Sequence, residues 1–336
     1  MTQVPFDISL CPSQQAEFEK QTGRTDSAEF FELWHRTIGT DLEPTGDAVA
    51  LYGDTLPPGT TIDDWGVAHS PGSAAAMHMT RLHHPLKDAQ RAEEIDSYPF
   101  PRLTSRSASR IRAQVAAVHD AGFAAVGGMS QTIWERAWAI RSMEELMMDM
   151  MIEDEKATVL LDRITEISLS QAEIYAEAGC DIIHLGDDIG MQSTPMMSVE
   201  LWRHWLKPRL ARVIGAAKAK NRETLIFYHS CGFVEPFIDD LLECGIEILN
   251  PVQPESMSFP SLYERYADRL SFWGTIGTQT TMPFGTEEDV KAAVRQNVSL
   301  CSPAGGLVIA PTHILEPEVP WENILALFNA RREASL

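Results

Sequence analysis

Residues 224–253 read TLIFYHSCGFVEPFIDDLLECGIEILNPVQ, and the fold is decided by how this stretch is parsed. Thr224–Tyr228 is a short β-rich apolar run, and Val234–Cys244 has helical spacing. Gly245 stands where a helix C-terminus needs a left-handed residue, and Ile246–Leu249 is a second apolar run. Strands that alternate with helices and are apolar along their length are parallel strands buried on both faces. The same unit continues in both directions. Further runs lie at Phe123–Val126, Asp181–Leu185, Leu270–Trp273 and Leu307–Ala310. Between them come helix-like stretches at Ser142–Ala178 (broken near Glu153–Lys156 and followed by Gly179), Val199–Lys220, Glu287–Leu300 and Trp321–Glu333. With two weaker runs near Ala48–Tyr52 and Ala75–Thr80, the strands add up to about eight, the number of a (β/α)8 barrel. The expected fold is therefore α/β, a (β/α)8 TIM barrel. No Gly-rich dinucleotide fingerprint supports the alternative, an open doubly wound sheet. The N-terminal part is less regular and rich in Pro, Gly and Asp. Residues 1–60 are expected to form an irregular extension packed on a barrel spanning 61–336.

The 336 residues are 44% hydrophobic and 22% charged, an ordinary globular balance. A formal net charge of −21 repels nucleic-acid phosphates and anionic lipid, so neither nucleic acid nor membrane is an expected partner. Met1–Asp7 has neither the basic start nor the apolar run of a signal peptide, and no stretch approaches the roughly 18 apolar residues of a membrane span. Five scattered cysteines, Cys11, Cys180, Cys231, Cys244 and Cys301, give no disulfide framework. Reduced thiols in a cytoplasmic protein are expected.

In parallel barrels the active site lies at the C-terminal ends of the strands. The polar residues that follow the apolar runs are Met129-Ser130-Gln131, Gly186-Asp187-Asp188, His229-Ser230-Cys231-Gly232, Asn250 with Gln253, Gln279, and Thr312-His313. Residues two apart on a strand share a face, so His229 and Cys231 would project together towards the barrel mouth. An imidazole and a thiolate are ligands that zinc prefers, and zinc keeps a thiol ionised at neutral pH. The same pair also describes a buried cysteine beside a hydrogen-bonded histidine. His313 can be a third ligand, a proton-transfer group, a substrate contact or a structural residue. Of the adjacent Asp187 and Asp188, at most one can point into the barrel, to orient an imidazole, act as a general base or hold a cation. The alternative is a turn before Gly190. Met143, Met147, Met148, Met150 and Met151 have the helical spacing of core packing. Cys11, Cys180 and Cys244 read as inert thiols, and Cys301 lies at the opposite end of the barrel from the strand tips.

Tyr228–Gln253 resembles the central signature of the uroporphyrinogen decarboxylase-like superfamily, most closely its branch of methylcobalamin:coenzyme M methyltransferases and corrinoid demethylation proteins. Further matches are Gly186–Gly190, Phe272–Gln279, Pro283–Val290, Gly306–Pro311 followed by Pro320–Ile324, and Trp134–Trp138 with Arg141–Glu144. They occur in order across roughly residues 60 to 330. The resemblance implies a (β/α)8 barrel and a zinc-dependent methyltransferase. Such an enzyme moves a methyl group between a corrinoid carried by a partner protein, or a small methylated substrate, and a thiol or similar acceptor. It also implies zinc ligands at His229 and Cys231. His313 takes the place of a cysteine that is the branch's third ligand, and the fourth position is left to Asp187, Asp188, Glu316 or water. Asp187, Asp188 and His313 are the implied catalytic residues, Met129, Trp134, Tyr228, Gln253 and Gln279 the implied substrate contacts, and a homodimer the implied assembly. The true decarboxylases have a histidine at the place of His313 but lack the H-x-C pair. Their arginine-rich N-terminal motif is absent, since the first forty residues carry only Lys20, Arg24 and Arg36 as cations. Porphyrinogen decarboxylation is rejected on that ground. The alternatives are a lyase or decarboxylase acting on a small acid through His313 and the aspartate pair, and a family member that binds without turnover.

Overall fold

A computed structural model describes residues 4–39, 42–47, 49–53, 55–72, 79–302 and 304–334. Ten strands are present in the described residues: β1 (His35–Ile38), β2 (Thr61–Ile62), β3 (Ala68–Ser70), β4 (Arg81–His83), β5 (Ala124–Ser130), β6 (Ile182–Gly186), β7 (Leu225–His229), β8 (Ile248–Asn250), β9 (Ser271–Ile276) and β10 (Leu307–Pro311). Seven of them form one parallel sheet in the order β1-β5-β6-β7-β8-β9-β10. The N-terminal segment continues it past β10. Pro5 O accepts from Ile309 N, and Asp7 N donates to Ile309 O, both at 3.0 Å. Asp7 then reaches across to β1, where its Oδ1 lies 3.2 Å from His35 Nε2. The N-terminal segment thus lies beside the last strand of the TIM barrel and meets the first through the Asp7 side chain.

Four details differ from the sequence reading. The expected strand near Ala48–Tyr52 is not one, because Val49–Leu51 forms a single 3-10 turn. Of the other weak run, residues 75–78 lie outside the described residues, and Met79 and Thr80 carry no strand. Within the stretch expected as an extension, the structure places β1 inside the sheet and the N-terminal stave beside β10. The helix read as Val199–Lys220 is two, Val199–Trp205 and Lys207–Lys220, with Pro208 in the first turn of the second. Proline lacks the N–H that a continuous helix would need there, and is tolerated in a first turn.

The helical layer packs on the outside of the sheet. In the helix Glu155–Ala178 the buried residues Ala157, Leu160, Leu161, Ile164, Ser168, Ala172 and Tyr175 recur every three to four positions, a single stripe facing the barrel. Asp154 caps its start by accepting from Lys156 N at 2.9 Å, and Gly179 ends it with left-handed backbone at φ 89°. Inside the barrel, Val126, Ile182, Phe227, Ile248, Trp273 and Ala310, one from each of β5 to β10, form an apolar layer. Two residues further along their strands the inward positions are polar: His184, His229, Asn250 and Thr312. The apolar layer is the floor, and the polar layer the wall, of a cavity of about 370 Å³.

Gly127 on β5 lies directly under the Tyr175 ring, where an added Cβ would come within 2.6 Å of ring carbon. Tyr175 cannot retreat freely, because its hydroxyl lies 3.2 Å from Ile38 O and 3.3 Å from Gly128 O. Gly127→Ala should therefore overpack this contact, at a cost of about 1–3 kcal/mol. Differential scanning calorimetry should show Tm lowered by a few degrees. An unchanged Tm would mean that the helix moves away from the sheet at no cost.

Candidate metal centre

The centre forms where β6 and β7 end side by side, with Gly186 paired to His229. Backbone pairing continues past both strand ends. Asp187 N donates to His229 O at 3.1 Å, and Ser230 N to Asn250 O at 2.9 Å. The two following loops then interlock, Phe233 N donating to Met191 O at 2.7 Å. Gly232 sits in this crossing at φ 79°, and a Cβ there would lie 2.5 Å from Met191 O. Any other residue would be both strained and obstructed, so the turn that carries Cys231 depends on glycine.

Three side chains converge at the strand ends, one of them, His229, lining the cavity. Cys231 Sγ lies 3.5 Å from His229 Nε2, and Asp188 Oδ1 lies 3.5 Å from the same nitrogen. Among the described residues, Asp188, His229 and Cys231 are the histidine, cysteine and acidic side chains whose ligand atoms gather within 4.8 Å of one another. Asp188 Oδ1 also accepts from Cys231 N at 2.7 Å, fixing one member of the group on another. Asn250 sets the imidazole. Its Nδ2 donates to Trp273 O at 2.6 Å, which turns its Oδ1 towards His229 Nδ1 at 2.5 Å. Nδ1 therefore carries the proton and Nε2 offers its lone pair to the cluster, the tautomer a metal ligand needs.

The donor set suits zinc. With Zn–N about 2.0–2.1 Å and Zn–S about 2.3 Å, tetrahedral ligands on one ion stand roughly 3.3–3.6 Å apart, close to the spacings seen here. Burial pushes the Cys231 thiol well above its ordinary pKa, and the Asp188 and Glu135 carboxylates add to the shift. Without a cation the sulfur is held protonated, whereas a metal ligand must be deprotonated. Burial also raises Cys180 to about 12 and Cys244 and Cys301 to about 11, which leaves these three inert.

The other expected site residues divide into two groups. His313 lines the cavity at its open end, outside the three-residue cluster, and Gln253 and Gln279 line the adjoining mouth. Desolvation and the nearby His229 ring lower the pKa of His313. Gln253 is also structural, since its Oε1 accepts from Gly232 N at 2.5 Å. Met129, Trp134 and Tyr228 do not line the cavity. All three are buried in the core behind the sheet, and the Tyr228 hydroxyl donates to Asp187 O at 3.3 Å. Asp187 likewise faces away from the cavity. Its carboxylate accepts from Ile133 N at 3.0 Å and Glu135 N at 2.9 Å, at the start of the helix Trp134–Arg141. Burial pushes its pKa up to about 7 against the pull of these donors.

Several cavity residues were not singled out in the sequence. His184 lines the wall with its Nε2 buried and unpartnered among the described residues, and burial pushes its pKa down to about 3. Counting back two from Gly186 along β6 would have pointed to it. His35 and Asp7 complete the wall. Glu135 lies behind Asp187, and its pKa is raised to about 8 by burial and then by the Asp187 and Asp188 charges.

A sequence profile of the family described as Uroporphyrinogen decarboxylase (URO-D) matches residues 76–334. The methylcobamide:CoM methyltransferase MtaA of Methanosarcina barkeri is 30% identical over 174 residues, 52% of this chain and 48% of that protein. Its counterpart from Methanosarcina barkeri strain Fusaro is 30% identical over 183 residues, 53% of this chain and 50% of that one. The chain thus spans about half the length of the curated relatives it matches. A solved methyltransferase from Methanosarcina mazei shares the fold, with a TM-score of 0.67 over 99% of this chain and 94% of that one at 20% identity. No helix among the described residues is long and apolar enough to cross a membrane.

If Asp187 is the scaffold that its contacts make it, Asp187→Ala leaves backbone donors unpaired and should cost about 1–3 kcal/mol. Asp187→Asn keeps an acceptor oxygen and should cost less than half of that. Both should appear as graded falls in Tm. Asp187→Asn with an unchanged Tm and a large loss of turnover would instead make it a proton-transfer residue.

Proposed function

The chain belongs to the uroporphyrinogen decarboxylase family, and we propose that it is a zinc-dependent methyltransferase. In this reading it passes a methyl group between a corrinoid carried by a partner protein and a small thiol. The observation that carries the reading is the cluster of Asp188, His229 and Cys231, in which both other ligand atoms stand 3.5 Å from His229 Nε2 and His229 lines the cavity. Similarity to two methylcobamide:CoM methyltransferases supports the corrinoid and thiol ends of the reaction.

Asp188, His229 and Cys231 would hold the metal, the three protein ligands that catalytic zinc sites use. Zinc bound there would supply a Lewis acid that keeps an acceptor thiol ionised at neutral pH. Asn250 holds the His229 ring in the liganding tautomer, and Asp188 holds the Cys231 backbone as well as offering its own oxygen. His313 stands where the branch's third ligand was expected but lies outside the cluster, so we assign it to the proton released by the thiol. Gln253 and Gln279 are in place to contact the substrate at the mouth. The alternative, a lyase or decarboxylase acting on a small acid through His313 and the aspartate pair, is less well served, because the Asp187 carboxylate is turned to Ile133 N and Glu135 N.

Elemental analysis of the purified chain should find about one zinc, the occupancy of a three-ligand catalytic site. His229→Ala and Cys231→Ser should lose it, and Asp188→Ala should weaken it. Asn250→Ala, which frees the imidazole, should reduce zinc affinity by about 10–100-fold. His313→Ala should keep the metal while methyl transfer to a thiol falls by about 10²–10⁴-fold. Zinc retained in full by both His229→Ala and Cys231→Ser would end this reading, and zinc lost from His313→Ala would return that residue to the ligand set.

A further inference from the structure

The charge of the space beside the cluster bears on what the acceptor looks like at its far end. Two cavities meet at His313 and Ile314: the barrel interior, and a mouth of about 350 Å³. Asp7 lines the interior, and Glu316 and Glu318 line the mouth. Among the described residues no lysine or arginine lines either one. The buried guanidinium of Arg136, on the helix behind Asp187, is not among the lining residues. It donates to Asp63 at 3.0 Å and lies 4.9 Å from the Trp65 ring. Histidine is the remaining basic side chain in the lining, as His35, His184, His229 and His313, and of these His35 already faces Asp7, its Nε2 3.2 Å from Oδ1. The interior also presents the Trp273 and Phe227 rings, which stand perpendicular at 5.2 Å. Beside this floor Asp7 is held rigidly. Its Oδ1 accepts from Ile8 N at 2.9 Å and faces His35 Nε2, while its Oδ2 accepts from Trp273 Nε1 at 3.1 Å.

A sulfonate or carboxylate tail entering this space would meet carboxylates and no fixed cation. A neutral tail meets imidazole, amide and hydroxyl partners, and a cationic one meets aromatic faces and Asp7. We propose that the thiol taken by this site has a neutral or cationic tail, with Asp7 as the anionic group that sets the preference. The inference rests on the thiol-acceptor reading above.

The test is calorimetric titration of the zinc-loaded full chain at low salt with three thiols that share one ethyl arm: thiocholine, 2-mercaptoethanol and 2-mercaptoethanesulfonate. The sulfonate should bind weakest, about tenfold or more below thiocholine, as expected for one charge interacting across a partly desolvated site. Asp7→Asn should narrow that gap. Glu318→Lys, at the exposed rim and so without risk to folding, should narrow it independently by tightening the sulfonate. A wild-type chain that binds the sulfonate as tightly as thiocholine, or tighter, overturns the proposal and leaves the thiol reading standing. Zinc-loaded protein that binds none of the three overturns the thiol reading and this inference with it.

Discussion

Asp187 and Asp188 leave the end of β6 facing opposite ways, and the rest of the rim depends on that alternation. Because Asp187 N still pairs with His229 O, the strand geometry persists one residue beyond β6 and side chains keep changing sides. The outward carboxylate meets the N–H groups at the start of the helix Trp134–Arg141, where a negative charge is favoured. That contact fixes the connection leaving β5 to the tip of β6. The inward carboxylate meets Cys231 N and His229 Nε2. A register slip of one residue would exchange the two, burying the would-be ligand behind the sheet. One dipeptide thus positions both the scaffold and the metal-binding edge.

Barrel interiors are ordinarily filled by layers of branched apolar side chains. This one keeps a single apolar layer and places His184, His229 and Asn250 above it. Such an arrangement costs stability, because buried polar groups need partners and the Nε2 of His184 has none among the described residues. Glu135, with its pKa raised to about 8, belongs to the same pattern. Local departures of this kind gather where a protein has a task besides folding.

The same departures mark the limits of the sequence reading. The six strands found as apolar runs are those whose inward residues include the floor, so they look apolar from end to end. β1 escaped because its inward residues, His35 and Thr37, line the cavity, and Arg36 lies over the Phe123 ring at 3.7 Å. A strand reading His-Arg-Thr-Ile offers no apolar alternation to detect. At the site, His229 and Cys231 were legible because a period of two requires only local geometry. The sequence limited the aspartates to one inward residue but could not choose between them, since parity at a strand end depends on where pairing stops. Tyr228 lies beside the His229-x-Cys231 motif in the chain yet is buried in the core behind the sheet, a distinction that adjacency does not carry. His313 follows the last strand as expected. Whether two residues beyond a strand end bring a ring into a cluster or only to its mouth is settled by the loop.

A chain of hydrogen bonds links the N-terminal stave to the proposed ligands. Asp7 accepts from the Trp273 indole, the Trp273 carbonyl accepts from the Asn250 amide, and Asn250 Oδ1 accepts from His229 Nδ1. The floor of the cavity therefore holds the imidazole in its tautomer, and the N-terminal stave is tied to the residue that anchors Asn250. Asp7 and Asn250 thus hold the same residue from two sides, one by its indole and the other by its carbonyl.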